Sequence, residues 1–165
     1  FKNLKEFIDN SNNQKLMILV LDNVIDPRNL GACIRSAAVT EVDALIINKH
    51  HCAPLNEVAH SVSAGGAENV KTFFVSNLVN CIKYLKEMNI QIFGLSEHAQ
   101  MKYIECDFVQ HSAVIMGSEE FGIRKKTEEN CDYLIKLNTN KNFKSFNVSV
   151  ATGIILSEIA RQRTC

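Results

Sequence analysis

LMILVLDNVIDPRNLGACIRSAAV, residues 16–39, decides how this chain folds. Its first six residues are an unbroken apolar run. A strand with one wet face alternates apolar and polar side chains, so residues 16–21 read as a strand buried on both faces. Asp26-Pro27 comes next, and proline suits the first turn of a helix, where its missing N–H is no loss. Over residues 30–39, Leu30, Ile34, Ala37 and Ala38 recur at helical spacing. A buried strand, a short polar loop and a helix are the opening half of a βαβ unit.

The same alternation continues outward. Residues 1–15 are polar but place Leu4, Phe7 and Ile8 on one face of a short helix. Downstream, residues 44–47 form a second strand, and a weakly helical segment over 55–63 ends at Gly65-Gly66. Residues 72–75 are a third strand, and 78–88 an amphipathic helix through Leu78, Ile82, Leu85 and Met88. Strands follow at 90–95, 113–116 and 133–137, and a helix from about Val148 to Arg161 closes the chain. The expected fold is therefore α/β, a mainly parallel sheet flanked by helices, in one domain spanning residues 1–165. Ligands of such sheets bind outside the carboxyl ends of the strands. The residues after Leu21, Leu95, Met116 and Leu137 are thus where function is sought.

Bulk properties narrow the class. Hydrophobic residues make up 46% of the 165, enough for a sizeable core. The 18 basic and 18 acidic residues cancel, which argues against the broad positive surface of a standalone nucleic-acid binder but leaves room for a local basic patch. Six cysteines, Cys33, Cys52, Cys81, Cys106, Cys131 and Cys165, are scattered without a CxxC pair or zinc spacing, and read as reduced thiols of a cytoplasmic protein with no bound metal. No apolar run approaches the roughly 18–20 residues of a membrane span, and none looks like a secretory signal. Phe1 in place of a starting Met points to a fragment of a longer chain.

Three polar clusters lie past the strands. In the first, Asn29 falls at a helix start and Arg35 six residues on, about a turn and a half along the axis. Read blandly, Asn29 caps the helix and Arg35 is solvated. The second, GSEEFG at 117–122, has two glycines that permit a close backbone path and a Glu119 placed to hold a hydroxyl, an Arg or a helix N-terminus. A plain loop explains it as well, and it lacks the Lys-Ser/Thr ending of a P-loop. The third, KSFNVSVATG at 144–153, enters the last helix. Ser145 or Asn147 can be its cap, and the small residues 151–153 suit close packing. Val148, Ala151, Ile155 and Ile159 form an apolar stripe, read as core or dimer contact.

Taken in order, NLGACIR, MGSEEFG and SFNVSVATGIILSEIARQR resemble the three motifs of the SpoU (TrmH-like) RNA 2'-O-ribose methyltransferases of the SPOUT superfamily. The likeness runs from about Leu19 to Arg163. LDNVIDPRNLGACIRSA, SAGGAENV and NVSVATG look most like the branch that methylates a guanosine of 23S ribosomal RNA. The resemblance implies an α/β knot with a C-terminal trefoil, a homodimer, and S-adenosylmethionine held largely by main-chain groups. The matching cofactor positions are Gly117, Ser118, Leu137, Phe146 and Asn147; the catalytic and orienting ones are Arg35, Asn29, Glu119, Ser145 and Asn147. An upstream RNA-binding domain is common in the family and absent from these residues. Two departures fall in the cofactor loop: Asn138, Thr139 and Lys141 stand where the branch pattern has Pro, Met and Gly, and Phe146 where Leu is usual.

RNA, ribosomal more than transfer RNA, is then the expected partner, with no membrane. Arg124-Lys125-Lys126, Lys141, Lys144 and His50-His51 are candidate phosphate contacts, or simply a solvated face. A guanidinium stays protonated, so Arg35 is expected to grip a phosphate and stabilise alkoxide charge rather than act as a free base. Two other classes stay in view. A non-catalytic RNA-binding module would not need Arg35, Glu119 and Asn147 intact. A nucleotide-dependent oxidoreductase would need GxGxxG after the first strand, which is missing.

Overall fold

The computed structural model describes residues 1–164 apart from Glu119, Lys141, Phe143 and Lys144. In chain order its elements are α1 (Lys2–Asp9), β1 (Met17–Leu21), α2 (Pro27–Val39), β2 (Ala44–Asn48), α3 (Glu57–Ser63), α4 (Gly66–Asn69), β3 (Thr72–Val75), α5 (Leu78–Glu87), β4 (Gln91–Leu95), β5 (Met101–Lys102), β6 (Ser112–Met116), α6 (Lys125–Glu128), β7 (Tyr133–Lys136) and α7 (Val148–Thr164). The six strands and five longer helices expected from patterning are present, each within about three residues of its expected end. The additions are the short pieces α4, β5 and α6 and a 3-10 turn at Tyr103–Glu105. None is long enough to show a period.

All seven strands are parallel, in the order β3-β2-β1-β6-β4-β7-β5. The centre is β1, β6 and β4, with Leu19 opposite Val114 and Val114 opposite Phe93. Their alternation serves two helical layers. Leu19, Leu21, Val114 and Met116 face one apolar cluster with Leu30, Cys33 and Ile34 of α2 and Val148, Ala151, Ile155 and Ile159 of α7. Ile18, Val20, Ala113 and Ile115 face the other, with Leu4 and Ile8 of α1 and Leu78, Cys81, Ile82 and Leu85 of α5. The apolar stripe of the last helix is therefore core. β7 slots between β4 and β5, although only residues 96–100 join those two.

Helix α7, about 25 Å long for its 17 residues, crosses the sheet from one strand edge to the other. At its C-terminal end, Gln162 receives the Phe108 N–H at 2.8 Å and donates to the Cys106 carbonyl at 3.0 Å. Arg163 donates to the carbonyl oxygens of Lys15, Leu16, Phe108 and Gln110, just ahead of β1 and β6. Glu158, paired to Arg161 and Gln162, has its carboxyl held down at about 2 by those hydrogen bonds. The small residues at the other end let α7 sit against α2, where the buried Thr152 hydroxyl bonds the Val148 carbonyl and lies 3.5 Å from Cys33 Sγ.

Candidate active site

Strands β6, β4 and β7 are neighbours, so the loops leaving their carboxyl ends meet. Together with the entry to α7 they enclose a cleft of about 190 Å³. Leu95, Met116, Leu137, Val148 and Ala151 give it an apolar floor. Glu97, Glu120 and Glu128 bring carboxylates to it, and Lys136 and His98 complete the polar rim. Of the residues singled out by sequence, Gly117, Ser118, Leu137, Ser145 and Phe146 line this cleft. Glu119 lies outside the described residues, as do Lys141 and Lys144.

Gly117 is needed for a reason the sequence did not suggest. A Cβ there would lie 2.1 Å from the Gly122 carbonyl carbon and 2.3 Å from the Ile123 nitrogen. The close backbone approach is to the chain itself, not only to a ligand. It allows the pair of hydrogen bonds by which Ser118 and Gly122 face each other, Ser118 N to Gly122 O at 3.1 Å and Gly122 N to Ser118 O at 2.8 Å. Gly122 turns the chain with φ +63°, and Ser118 Oγ accepts the Phe121 N–H at 3.0 Å. The described residues of this segment, Gly117, Ser118, Glu120, Phe121, Gly122 and Ile123, thus belong to a small closed loop that walls the cleft.

Asn147 borders the cleft between Phe146 and Val148 and has two identifiable tasks. Its Oδ1 accepts the Ser149 N–H at 2.9 Å, capping α7, and also receives the Ser149 hydroxyl. Its Nδ2 donates to Asn29 Oδ1 at 3.0 Å, joining the first and third motifs. Asn29 does not cap α2: that cap is Asp26, whose carboxylate accepts the Arg28 N–H at 2.7 Å, with Pro27 as the first helical residue. Asn29 sits in the first turn with its side chain left for Asn147. Losing the cap alone costs roughly 1 kcal/mol. Asn147→Ala is expected to lower stability by about that much and to loosen the 145–149 segment, read as faster amide exchange at Ser149.

Arg35 stands apart. It is exposed, its side chain makes no hydrogen bond or ion pair among the described residues, and it does not line the cleft. Its Cα packs beside Gly66 of α4. Arg124, a candidate phosphate contact, is partly committed elsewhere: its Nε is bonded at 2.8 Å to the fully buried carboxylate of Asp22. Lys125, Lys126, His50 and His51 are exposed. Asp22 was missed. A carboxylate placed directly after a fully buried strand must find partners, and that rule was the available signal.

Burial works against reactivity in the described thiols. Burial pushes Cys33 up to about 11 and Cys131 up to about 12, so both stay protonated at neutral pH. Among the described residues no three His, Cys, Asp or Glu side chains gather as a metal site would require. Among the described residues no helix is long and apolar enough to cross a membrane.

The SpoU rRNA Methylase family model matches residues 16–157. The chain is 43% identical over 147 residues to the 23S rRNA (guanosine-2'-O-)-methyltransferase RlmB of Escherichia coli K12, covering 89% of this chain and 60% of that protein. It is 38% identical over 149 residues to RlmB of Xanthomonas campestris pv. campestris, covering 90% and 60%. The chain therefore spans about 60% of the length of these curated relatives. Among solved structures, the A. aeolicus TrmH/SpoU tRNA modifying enzyme superposes with a TM-score of 0.81 at 30% identity, covering 99% of this chain and 82% of that one. The SpoU methyltransferase AviRb of Streptomyces viridochromogenes, solved with AdoMet, gives a TM-score of 0.86 at 23% identity, covering 93% and 60%.

Proposed function

Because the chain belongs to the SpoU rRNA Methylase family, we propose that it transfers a methyl group from S-adenosylmethionine to a ribose 2'-hydroxyl of RNA, at a guanosine of 23S rRNA. The observation that carries this reading is the cleft at the ends of β6, β4 and β7, with Gly117, Ser118, Leu137, Ser145 and Phe146 on its wall. Its lining fits the cofactor's chemistry. Apolar Leu95, Met116 and Leu137 suit a flat heterocycle, and Glu97, Glu120 and Glu128 suit the positive sulfonium and ammonium groups. Bound there, S-adenosylmethionine supplies an electrophilic methyl carbon whose departure from sulfur cancels a positive charge, so the transfer itself calls for no metal.

The chain's own residues have the harder work of presenting a weakly acidic hydroxyl. Transfer needs the ribose oxygen about 3–3.5 Å from the methyl carbon and in line with it, so orientation dominates. Asn29 and Asn147, held to each other, order the entrance to α7 and the ribose beside it; Ser145 and Glu119 complete that set. Arg35 grips the neighbouring phosphate and stabilises charge developing on the hydroxyl oxygen, while the proton passes to phosphate or water. Its exposure and lack of a partner among the described residues support this role, since a permanently charged fork already paired would be unavailable.

The reading extends to a homodimer in the cytoplasm and to a trefoil knot through which the chain reaches α7. Insertion of β7 between β4 and β5 supports the knot. A further RNA-binding domain beyond these residues accords with the share of the relatives' length spanned here. A second reading, methylation of tRNA, is favoured by the likeness to the tRNA modifying enzyme over 82% of its chain. Labelled methyl transfer to 23S rRNA and to tRNA, followed by alkaline hydrolysis, separates them. Label in an alkali-resistant dinucleotide containing guanosine, from 23S rRNA alone, is expected. Label from tRNA alone moves the second reading to first place, and none from either RNA contradicts both.

A further inference from the structure

We propose that Asp22 is the positioning residue of the cleft: its buried carboxylate holds the 117–124 loop in the shape that binds cofactor. The inference rests on the cleft being the cofactor site. Asp22 is fully buried directly after β1. Its Oδ1 accepts from Arg124 Nε at 2.8 Å and from Asn48 Nδ2 at 2.9 Å, and its Oδ2 from the Arg124 backbone N–H at 3.1 Å. Its own N–H donates to the Met116 carbonyl at 2.8 Å. One side chain therefore ties the ends of β1 and β2 to the residue that opens α6, and its backbone holds the end of β6. Asn23, next in the chain, takes the left-handed conformation at φ 69°, turning the strand end so that this junction can form.

Among the described residues the loop has few other anchors. Phe121 is 69% exposed, and among the loop's described residues Ile123 is the buried apolar side chain. The Ser118–Gly122 pairing closes the loop on itself but does not fix where it points. β6 fixes one end, at Gly117; Asp22 fixes the other, at Arg124. An ion pair with one partner fully buried is a poor way to gain stability, because the desolvation of that charge offsets the attraction. It is a good way to fix geometry, since a bonded fork tolerates few alternative placements. Among the described residues of the loop, Gly117, Ser118, Glu120, Phe121, Gly122 and Ile123 line the cleft, whereas Asp22 does not line it and reaches it only through its backbone bond to Met116.

The test is titration of the chain and of Asp22→Asn, Arg124→Gln and the double variant with S-adenosylhomocysteine, alongside amide exchange over 117–124 and KM for S-adenosylmethionine and RNA separately. Asp22→Asn is expected to weaken cofactor binding roughly 10- to 100-fold, the loss of a charge-assisted pair. KM for S-adenosylmethionine should rise in step while KM for RNA holds, and the loop amides should exchange faster. The double variant should bind no worse than either single one. A folded Asp22→Asn protein with the original affinity and exchange overturns the proposal. If Asp22→Asn does not fold, Arg124→Gln, changing a partly exposed side chain, decides by the same measures. Failure of the unsubstituted chain to bind S-adenosylhomocysteine counts against the cleft as cofactor site, and the exchange data still decide whether Asp22 anchors the loop.

Discussion

Gly117→Ala is expected to abolish cofactor binding, lowering affinity for S-adenosylhomocysteine by at least about 100-fold, as expected when a site's supporting geometry is lost. The added Cβ meets Gly122 and Ile123 backbone atoms at 2.1 to 2.3 Å, well inside van der Waals contact, and backbone atoms have no rotamer by which to withdraw. The Ser118–Gly122 hydrogen bonds must open, and with them the cleft wall. Overpacking of this kind costs roughly 1–3 kcal/mol or more, so thermal stability should fall by several degrees as well. Gly122→Ala is the matching control. Nothing lies within 4 Å of its would-be Cβ, so only the left-handed backbone at φ +63° is penalised. That penalty is about 1 kcal/mol, and binding should weaken far less. Calorimetry on both variants checks the pair, and equal losses at the two positions would contradict this account of the loop.

Arg163→Ala is expected to be the most destabilising surface-accessible change, by roughly 3 kcal/mol, because hydrogen bonds to a charged donor are worth about 1.5–3 kcal/mol each and act here as a unit. The guanidinium gathers the carbonyls of Lys15, Leu16, Phe108 and Gln110 where β1 and β6 begin. Burial lowers its pKa, which measures the desolvation those bonds must overcome. For a chain of 165 residues such a loss corresponds to a fall in Tm of roughly 6–12 °C. Arg163→Lys should recover only part, since one ammonium cannot reach four spread acceptors. The cleft proposed to hold the cofactor lies at the opposite strand edge, so S-adenosylhomocysteine affinity well below the melting transition should be unchanged. A Tm drop accompanied by lost affinity at low temperature would contradict that separation.

Much of this molecule was legible because its strands are short continuous apolar runs and its longer helices carry clear stripes. The rule that ligands gather past strand ends picked Leu21, Leu95, Met116 and Leu137. Three of these exits meet in the cleft because β6, β4 and β7 are adjacent. The fourth leads to Asp22, which anchors rather than lines. Strand order itself was not readable from residue patterns: every strand has the same apolar signature, and what seats β7 between β4 and β5 is long-range pairing. Local roles were misjudged where two polar residues competed for one task. Asp26 took the cap offered to Asn29, freeing it for Asn147, and Asp22 took the Arg124 side chain offered to RNA. Short elements such as α4, β5 and α6 are fixed by their neighbours and leave no period to find.

Within the proposed function these pieces divide by place. The loops past β6, β4 and β7 and the start of α7 form the cleft proposed for the cofactor; Asn29 and Asn147 join the motifs beside it; α7 carries the connection across the sheet to the Arg163 clamp. The measurement that bears most directly on the whole is calorimetric titration of the folded chain with S-adenosylhomocysteine. Saturable binding, weakened by Gly117→Ala and by substitution at Leu137 or Phe146, is the predicted result. No heat of binding from a chain shown to be folded would contradict the cofactor site, and a non-catalytic RNA-binding role would then take its place.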